Sequence, residues 1–371
     1  MKAVCAIMTG AILLAMPSAA GNLPPLQTVF VILLENHNWS EFKGSSNAPF
    51  INGTLLPLGA HGEQAYTPPG MHPSEPNYLW LEAGTNFGIL NDKDPASNHQ
   101  NTTNHLVTQL ARAGITWKAY QEDIAGDVVP LTPTNGYVPR HDPFVFFDDL
   151  TGTNDPHNAY AIAHIRPYPE LAGDLASNTV ARYNFITPNV CDDGHNVCAP
   201  QNNSVQQTDD WLASEVPKIL NSAAYTNQGA VFITWDEGAN SSDGPIGLIL
   251  LSPLVRGGYS NSLHYTHSSL LRTLQEIFGV SPWLGDAANA TDLNDLFQQL
   301  RIQPLGWITE GAFGMNITGV QPGTTNFVEA STNLRTWTVI ATNGSTSSSF
   351  SITDSAAANH NPQFYRVRQT P

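Results

Sequence analysis

The feature that most restricts this chain is a pair of short apolar runs that stop abruptly on acids. Thr28-Val-Phe-Val-Ile-Leu-Leu34 ends in Glu35-Asn36, and Ala230-Val-Phe-Ile-Thr-Trp235 ends in Asp236-Glu237. An unbroken apolar run without polar alternation suits a strand buried on both faces, as in a parallel sheet covered by helices. A third run, Gly247 to Ser252, is followed by the breaker Pro253. Between the runs the apolar period lengthens to that of helices, over Asn104 to Ala113, Thr208 to Leu220 and Ser268 to Phe278. Gly114 and Gly279 stand where a helix takes a left-handed residue to stop. Ile115 to Tyr120 predicts one more strand, so strand and helix alternate. That alternation predicts a layered α/β domain with a mainly parallel sheet.

At 371 residues the chain exceeds one average domain, and its character changes after about Pro304. From Phe327 onward, short alternating segments separated by Ser, Thr, Asn and Gly predict a small all-β module over residues 305–371. It carries no titratable cluster. Its Glu329-Ala-Ser-Thr-Asn-Leu-Arg-Thr-Trp-Thr338 stretch and final Phe364-Tyr-Arg-Val-Arg368 resemble β-sandwich modules that close many secreted bacterial proteins. The resemblance implies attachment or spacing, with a carbohydrate or a cell surface as partner. Residues 21–304 form the catalytic domain in this reading.

Lys2, the apolar stretch Ala3 to Met16 and the small residues Pro17 to Ala20 predict a signal peptide over residues 1–20, cut before Gly21. The mature chain is then secreted or periplasmic. Nothing later offers the ~18 continuous apolar residues of a spanning helix, so no transmembrane segment is expected. Lys+Arg number 15 against Asp+Glu 31, a net charge of -16. So acidic a surface repels nucleic acid and anionic membranes, and a phosphate ligand needs local positive charge such as a metal. Cys5 leaves with the signal, and Cys191 with Cys198 then form a disulfide. The closed loop carries Asp193 and His195. Zinc thiolates are the rival reading, but no second cysteine pair supports it.

Two acidic pairs at the carboxyl edge of one sheet offer oxygen ligands for a hard divalent cation. Each pair alone is as well explained by the capping of a following helix. Between them, His72-Pro-Ser74-Glu75-Pro-Asn77-Tyr78 places a hydroxyl at a helix start, where amides and dipole favour an anion. An ordinary N-cap serine looks the same.

Six ordered blocks together are far more specific. Leu34 to His37, Ser74 to Tyr78 with Gly84-Thr85, Ile115 to Tyr120, Pro188 to His195, Thr234 to Glu237 and Tyr265 to Ser268 resemble the phosphoesterase family of secreted acid phosphatases and bacterial phospholipases C. The resemblance covers about Thr28 to Val280. It implies the three-layer α/β/α sandwich of the alkaline phosphatase superfamily. It makes Glu35, Asn36, Asp236 and Glu237 the metal ligands and Ser74 the nucleophile. His195 and His267, with Asp193, would face the other side of the phosphoryl group, and His72 would touch phosphate. Likeness to the superfamily's nucleotide pyrophosphatases adds Asn91 as a phosphate ligand. The cation is one of magnesium, calcium, manganese or zinc.

The expected reaction is phosphomonoester hydrolysis through a phosphoserine, with a small phosphorylated substrate and no nucleic acid partner. A phospholipase C or other phosphodiesterase is the alternative enzyme, and an inactive secreted binding protein the alternative of another class. Two departures from the family pattern bear on substrate preference. Glu75 sets a negative charge beside the nucleophile, and Trp39 bears on the pocket wall. His37 follows the metal pair and packs. His61, His99, His105, His141, His157 and His164 match no motif and are read as solvent-facing or structural.

Overall fold

The computed structural model describes residues 23–239, 244–297, 300–309, 311–320, 324–344, 347, 349–360 and 363–370. The expected signal segment, residues 1–20, lies outside them. Eight strands form one sheet: β1 (Thr28–Leu34), β2 (Ala60–Tyr66), β3 (Trp117–Gln121), β4 (Ile165–Pro167), β5 (Tyr183–Thr187), β6 (Gly229–Trp235), β7 (Ile246–Leu251) and β8 (Tyr259–Thr266). Their order is β4-β3-β5-β1-β6-β7-β2-β8. From β4 to β6 every pairing is parallel. β7 runs antiparallel to both β6 and β2, and β2 pairs parallel with β8. All strands but β7 therefore point one way, and the sheet is mixed but mainly parallel, as expected. β7 reverses because residues 236–245 are too few for the dozen-residue crossover that a parallel return demands.

The central strands β1, β6 and β7 are buried almost throughout, which is why their sequences show no alternation. The three runs form strands within one residue of expectation. The strand predicted from Ile115 begins at Trp117 instead, because the Ile115 amide closes the preceding helix on the Leu110 carbonyl at 2.9 Å. Gly247 has no side chain for a steric reason: a Cβ there would lie 2.1 Å from the Trp235 ring.

Helices Ser74–Ala83, Leu106–Arg112 and His267–Phe278 pack together, as do Glu170–Ser177 and Ser204–Leu220. These two sets cover the sheet, giving three layers around one large apolar core. Register then positions the chemistry. Leu34 pairs with Trp235, so Glu35 and Asp236 leave the sheet side by side at its carboxyl edge.

Beyond this domain lie β9 (Arg301–Thr309), β10 (Ala312–Thr318), β11 (Thr325–Ser331), β12 (Thr338–Asn343), β13 (Ser349–Asp354) and β14 (Phe364–Thr370). They form two antiparallel sheets, β13-β10-β9 and β12-β11-β14, around a separate small core of Met315, Ile317, Val320 and Val328. The composition change noted at Pro304 falls inside β9. Among the described residues no helix is long and apolar enough to cross a membrane.

Candidate active site

The site is assembled from the carboxyl ends of five strands. β1 delivers Glu35 and Asn36, β6 delivers Asp236 and Glu237, and β5 leads through Pro188 to Asp193 and His195. β2 leads to Ser74, and β8 ends beside His267. Ser74 is the first residue of its helix and is 2% exposed. Its Oγ donates to Glu35 Oε2 at 3.0 Å. The Tyr78 hydroxyl, one turn further along the same helix, donates to Glu35 Oε1 at 2.6 Å. One helix therefore grips both oxygens of one acid.

The β6 end is tied to the β1 end by backbone donors. Asp236 Oδ1 accepts from the Asn36 amide at 3.1 Å and from the Glu237 amide at 2.6 Å. Glu237 Oε2 accepts from Asn77 Nδ2 at 3.0 Å and stands 2.9 Å from His72 Nδ1. His267 Nε2 is hydrogen-bonded to the Asp236 carbonyl, a bond that holds the strand end and occupies that ring nitrogen.

The third edge of the site is the loop closed by the Cys191–Cys198 disulfide, with Cα atoms 5.7 Å apart. The Asp193 carbonyl accepts from the Glu35 amide at 2.9 Å. Gly194, at φ 100°, packs where a Cβ would meet Thr208 Oγ1 at 2.8 Å. His37 Nε2 braces the same loop through the Gly194 carbonyl and Ser204 Oγ. The Asp193 carboxylate meets His141 Nδ1 at 3.1 Å, and His141 Nε2 stands 3.3 Å from Glu35 Oε1.

Sequence reasoning set His141 aside as solvent-facing or structural, and the structure corrects that by placing it between two site acids. Its ring also stacks on Tyr78, with centroids 5.2 Å apart. His141 comes from a short 3-10 turn, Pro139–His141, which has no periodic pattern to reveal its inward face. The available signal was the Arg140-His141 pair framed by Pro139 and Pro143, which no helix or strand claims. Arg140 was missed as well. Its Nη2 donates to His195 Nε2 at 3.3 Å, while His195 Nδ1 pairs with Asn196 Oδ1 at 2.9 Å.

The remaining expectations fare unevenly. Asn91 lies on the segment that follows the nucleophile helix. Its Oδ1 accepts from Asn98 Nδ2 at 2.9 Å, and Asn98 also donates to Glu75 Oε1 at 2.8 Å. Trp39 is buried in the core, with its ring centroid 6.0 Å from that of Trp235.

Burial dominates the electrostatics. It raises the Glu35 carboxyl well above the usual range, and the charges of Asp236 and Asp193 push the same way against the Tyr78 hydrogen bond. Burial likewise raises Asp193, and it lifts Asp236 to about 7 despite the Asn36 and Glu237 amides. It lowers His195 and holds His141 well below the usual imidazole value, with Arg140 adding to both shifts. His267 is pushed down to about 4 by burial. The site thus combines proton-holding acids with neutral imidazoles.

Such a cluster fits a divalent cation. Among the described residues Asp236 Oδ2 and Asn36 Oδ1 are buried with no hydrogen-bond partner, and both are oxygens able to ligate a cation. Oxygen sets of this kind suit hard cations, whose binding displaces protons from the acids. A second arrangement, Glu35 with His141 and His195, brings one ligand atom from each within 4.8 Å of the others. It is disfavoured because the Arg140 guanidinium already points a positive charge at His195 Nε2.

Comparison with known proteins gives the chemistry a family context. A family model described as the phosphoesterase family matches residues 63–281, a span that includes Ser74, Asp193, Asp236 and His267. The chain is 31% identical over 280 residues to a phosphatidylinositol-3-phosphatase of Mycobacterium tuberculosis, covering 75% of this chain and 85% of that protein. It is 26% identical over 295 residues to an acid phosphatase of Aspergillus fumigatus, covering 73% of this chain and 61% of that longer protein. A solved structure of an alkaline phosphatase superfamily protein from Vibrio parahaemolyticus overlays with a TM-score of 0.49 at 11% identity, covering 80% of this chain and 77% of that one.

Proposed function

The chain belongs to the phosphoesterase family and is a phosphoric ester hydrolase, and from that premise we propose that it is an acid phosphatase-type phosphomonoesterase working through a phosphoserine on Ser74. The observation that carries the reading is the nearly inaccessible Ser74 Oγ, hydrogen-bonded at 3.0 Å to a fully buried acid in a cluster that fits a cation. An N-cap serine on the surface would have neither neighbour. Both relatives are phosphatases by name, which supports monoester over diester cleavage.

Glu35, Asn36, Asp236 and Glu237 would hold the divalent cation. Once bound, it supplies positive charge that favours the serine alkoxide and draws electrons from the phosphoryl oxygens. Ser74 is fixed for attack by its position at the helix start and by Glu35, itself held by Tyr78. Asp193 orients His141 against Glu35. In-line attack breaks the bond from phosphorus to the leaving oxygen and forms the phosphoserine, which water then hydrolyses. We assign delivery of the leaving-group proton to His195, which is partly exposed where His267 is buried, and whose Nε2 would exchange its 3.3 Å contact with Arg140 for the leaving oxygen. His267 is then a positioning residue. Burial lowers the His195 pKa, so its protonated form is populated on the acid side, in keeping with an acid phosphatase.

In the same reading residues 21–304 form the catalytic domain behind a removed signal, with export favoured by the Cys191–Cys198 disulfide. The β9–β14 unit serves attachment or spacing.

The test is release of p-nitrophenol from p-nitrophenyl phosphate by wild type and Ser74→Ala, each with and without chelator. Wild-type turnover that is lost both on chelation and in Ser74→Ala is expected, the loss in the variant amounting to roughly 10⁴-fold or more. Full activity in Ser74→Ala would overturn the nucleophile assignment, and a silent wild type would return the diesterase and binding-protein readings.

A further inference from the structure

Arg140 is a cation inside a site made largely of acids, and its own hydrogen bonds leave it under-satisfied. Its side chain is only 22% exposed. Its Nε is buried and stands 3.6 Å from Asp92 Oδ2, beyond hydrogen-bonding distance. Its Nη2 donates across 3.3 Å to a histidine that burial keeps neutral. A guanidinium carries five donors in a planar fork that matches the oxygens of a carboxylate or a phosphate. Among the described residues its hydrogen-bond acceptor is a single ring nitrogen, and the Asp92 carboxylate beside it is not hydrogen-bonded.

Two chains of contact run from Arg140, and both end at the nucleophile. On one side Asp92 Oδ1 accepts from the amide of Glu75, the residue after Ser74, at 3.0 Å. On the other side His195 lies beside His141, with ring centroids 5.5 Å apart, and His141 reaches Glu35, which accepts from Ser74 Oγ. Arg140 is therefore linked to the nucleophile segment through Asp92 on one side and through His195 and His141 on the other. The backbone that places it is rigid. Pro139 opens its turn, the His141 carbonyl accepts from Thr187 Oγ1 at the end of β5, and Tyr137 is tied to Asp142.

We propose that Arg140 is a substrate-binding residue whose guanidinium receives a non-bridging phosphoryl oxygen and so selects the dianionic monoester. The proposal rests on the phosphomonoesterase reading and specifies its substrate charge. A monoester near neutral pH carries close to two negative charges, while a diester carries one. Glu35, Asp193, Asp236 and Glu237 bring no positive charge of their own to the phosphoryl group, and an arginine within contact distance favours its second charge. The fork also explains its weak native bonds: Asp92 and His195 hold the guanidinium in place without saturating it, so an incoming oxygen meets donors already oriented.

The experiment compares wild type, Arg140→Ala and Arg140→Lys on p-nitrophenyl phosphate, a monoester, and on bis-p-nitrophenyl phosphate, a diester, with inhibition by inorganic phosphate measured alongside. Arg140→Ala is expected to lose roughly 10²-fold in kcat/KM on the monoester, the scale of one lost charge-stabilising donor, and far less on the diester. Inhibition by phosphate should weaken in parallel, and Arg140→Lys should recover part of both because it keeps the charge without the fork. An equal fall on both esters with unchanged phosphate inhibition would overturn the proposal and leave Arg140 as a positioning residue for His195. Wild type that prefers the diester would instead overturn the monoesterase reading. In that case, phosphate inhibition weakened in Arg140→Ala would still support an oxygen-binding arginine, and unchanged inhibition would remove both readings.

Discussion

Glu75 follows the serine directly, and its charge state decides whether a dianion is tolerated there. The sequence suggests a carboxylate beside the nucleophile. The structure turns that carboxyl inward, to Asn98, and burial, aided by Asp92 and Asp94, pushes its pKa up to about 9. Burial thus favours the protonated form of Glu75, which removes the repulsion that a carboxylate beside the nucleophile would exert. The group also carries a pH signature. Its folded pKa lies above the ordinary 4.5, so the folded chain keeps a proton that the unfolded chain releases. Its effect is nil below 4.5 and becomes a growing destabilisation up to about 9. Glu75→Gln should match wild type near pH 4 and exceed it at pH 7 by on the order of 3 kcal/mol, read from urea midpoints. A gap that does not change with pH would mean that Glu75 is ionised in the fold. Single residues are also where the sequence was least legible. Ser74, Glu35 and Asp236 could be singled out because strand ends and a helix start frame them. His141 and Arg140 could not, since a 3-10 turn has no period and a lone histidine there is more often structural.

At the scale of elements, strand positions were readable because burial on both faces leaves an unmistakable apolar run, whereas the boundary at Ile115 was not. That boundary is set by a hydrogen bond closing the previous helix, which no local pattern records. The disulfide loop was legible for another reason, the cysteine count. It joins residues 7 apart in sequence and carries both Asp193 and His195. Replacing Cys191 and Cys198 by Ser should cost about 2 kcal/mol in a thermal melt, the size expected of so short a loop. Turnover should fall as well, because Asp193 orients His141 and His195 meets Arg140 from this loop. Lost stability with unchanged kcat would mean that Gly194 and His37 hold the loop geometry unaided.

For the whole molecule, the two apolar cores are separate, one under the mixed sheet and one between the sheets of β9–β14. Removing residues 301–371 should leave kcat/KM on p-nitrophenyl phosphate and the main urea transition unchanged, since no residue of the candidate site lies beyond His267. A loss of activity without loss of folding would show that the distal unit contributes to the site. Architecture was legible at this scale, down to the mainly parallel sheet, while the reversed β7 was not. Its direction follows from the length of one connection. The pairing of Leu34 with Trp235 has a consequence for how such a site changes over time. Glu35 and Asp236 stand on neighbouring parallel strands, so the gap between their backbones is the interstrand spacing of about 4.8 Å. That spacing fixes where the two acids start, whatever the loops around them do. Insertions in the surrounding loops alter which ester enters but leave it untouched, so substrate preference can drift while the pairing of the two acids is inherited with the sheet.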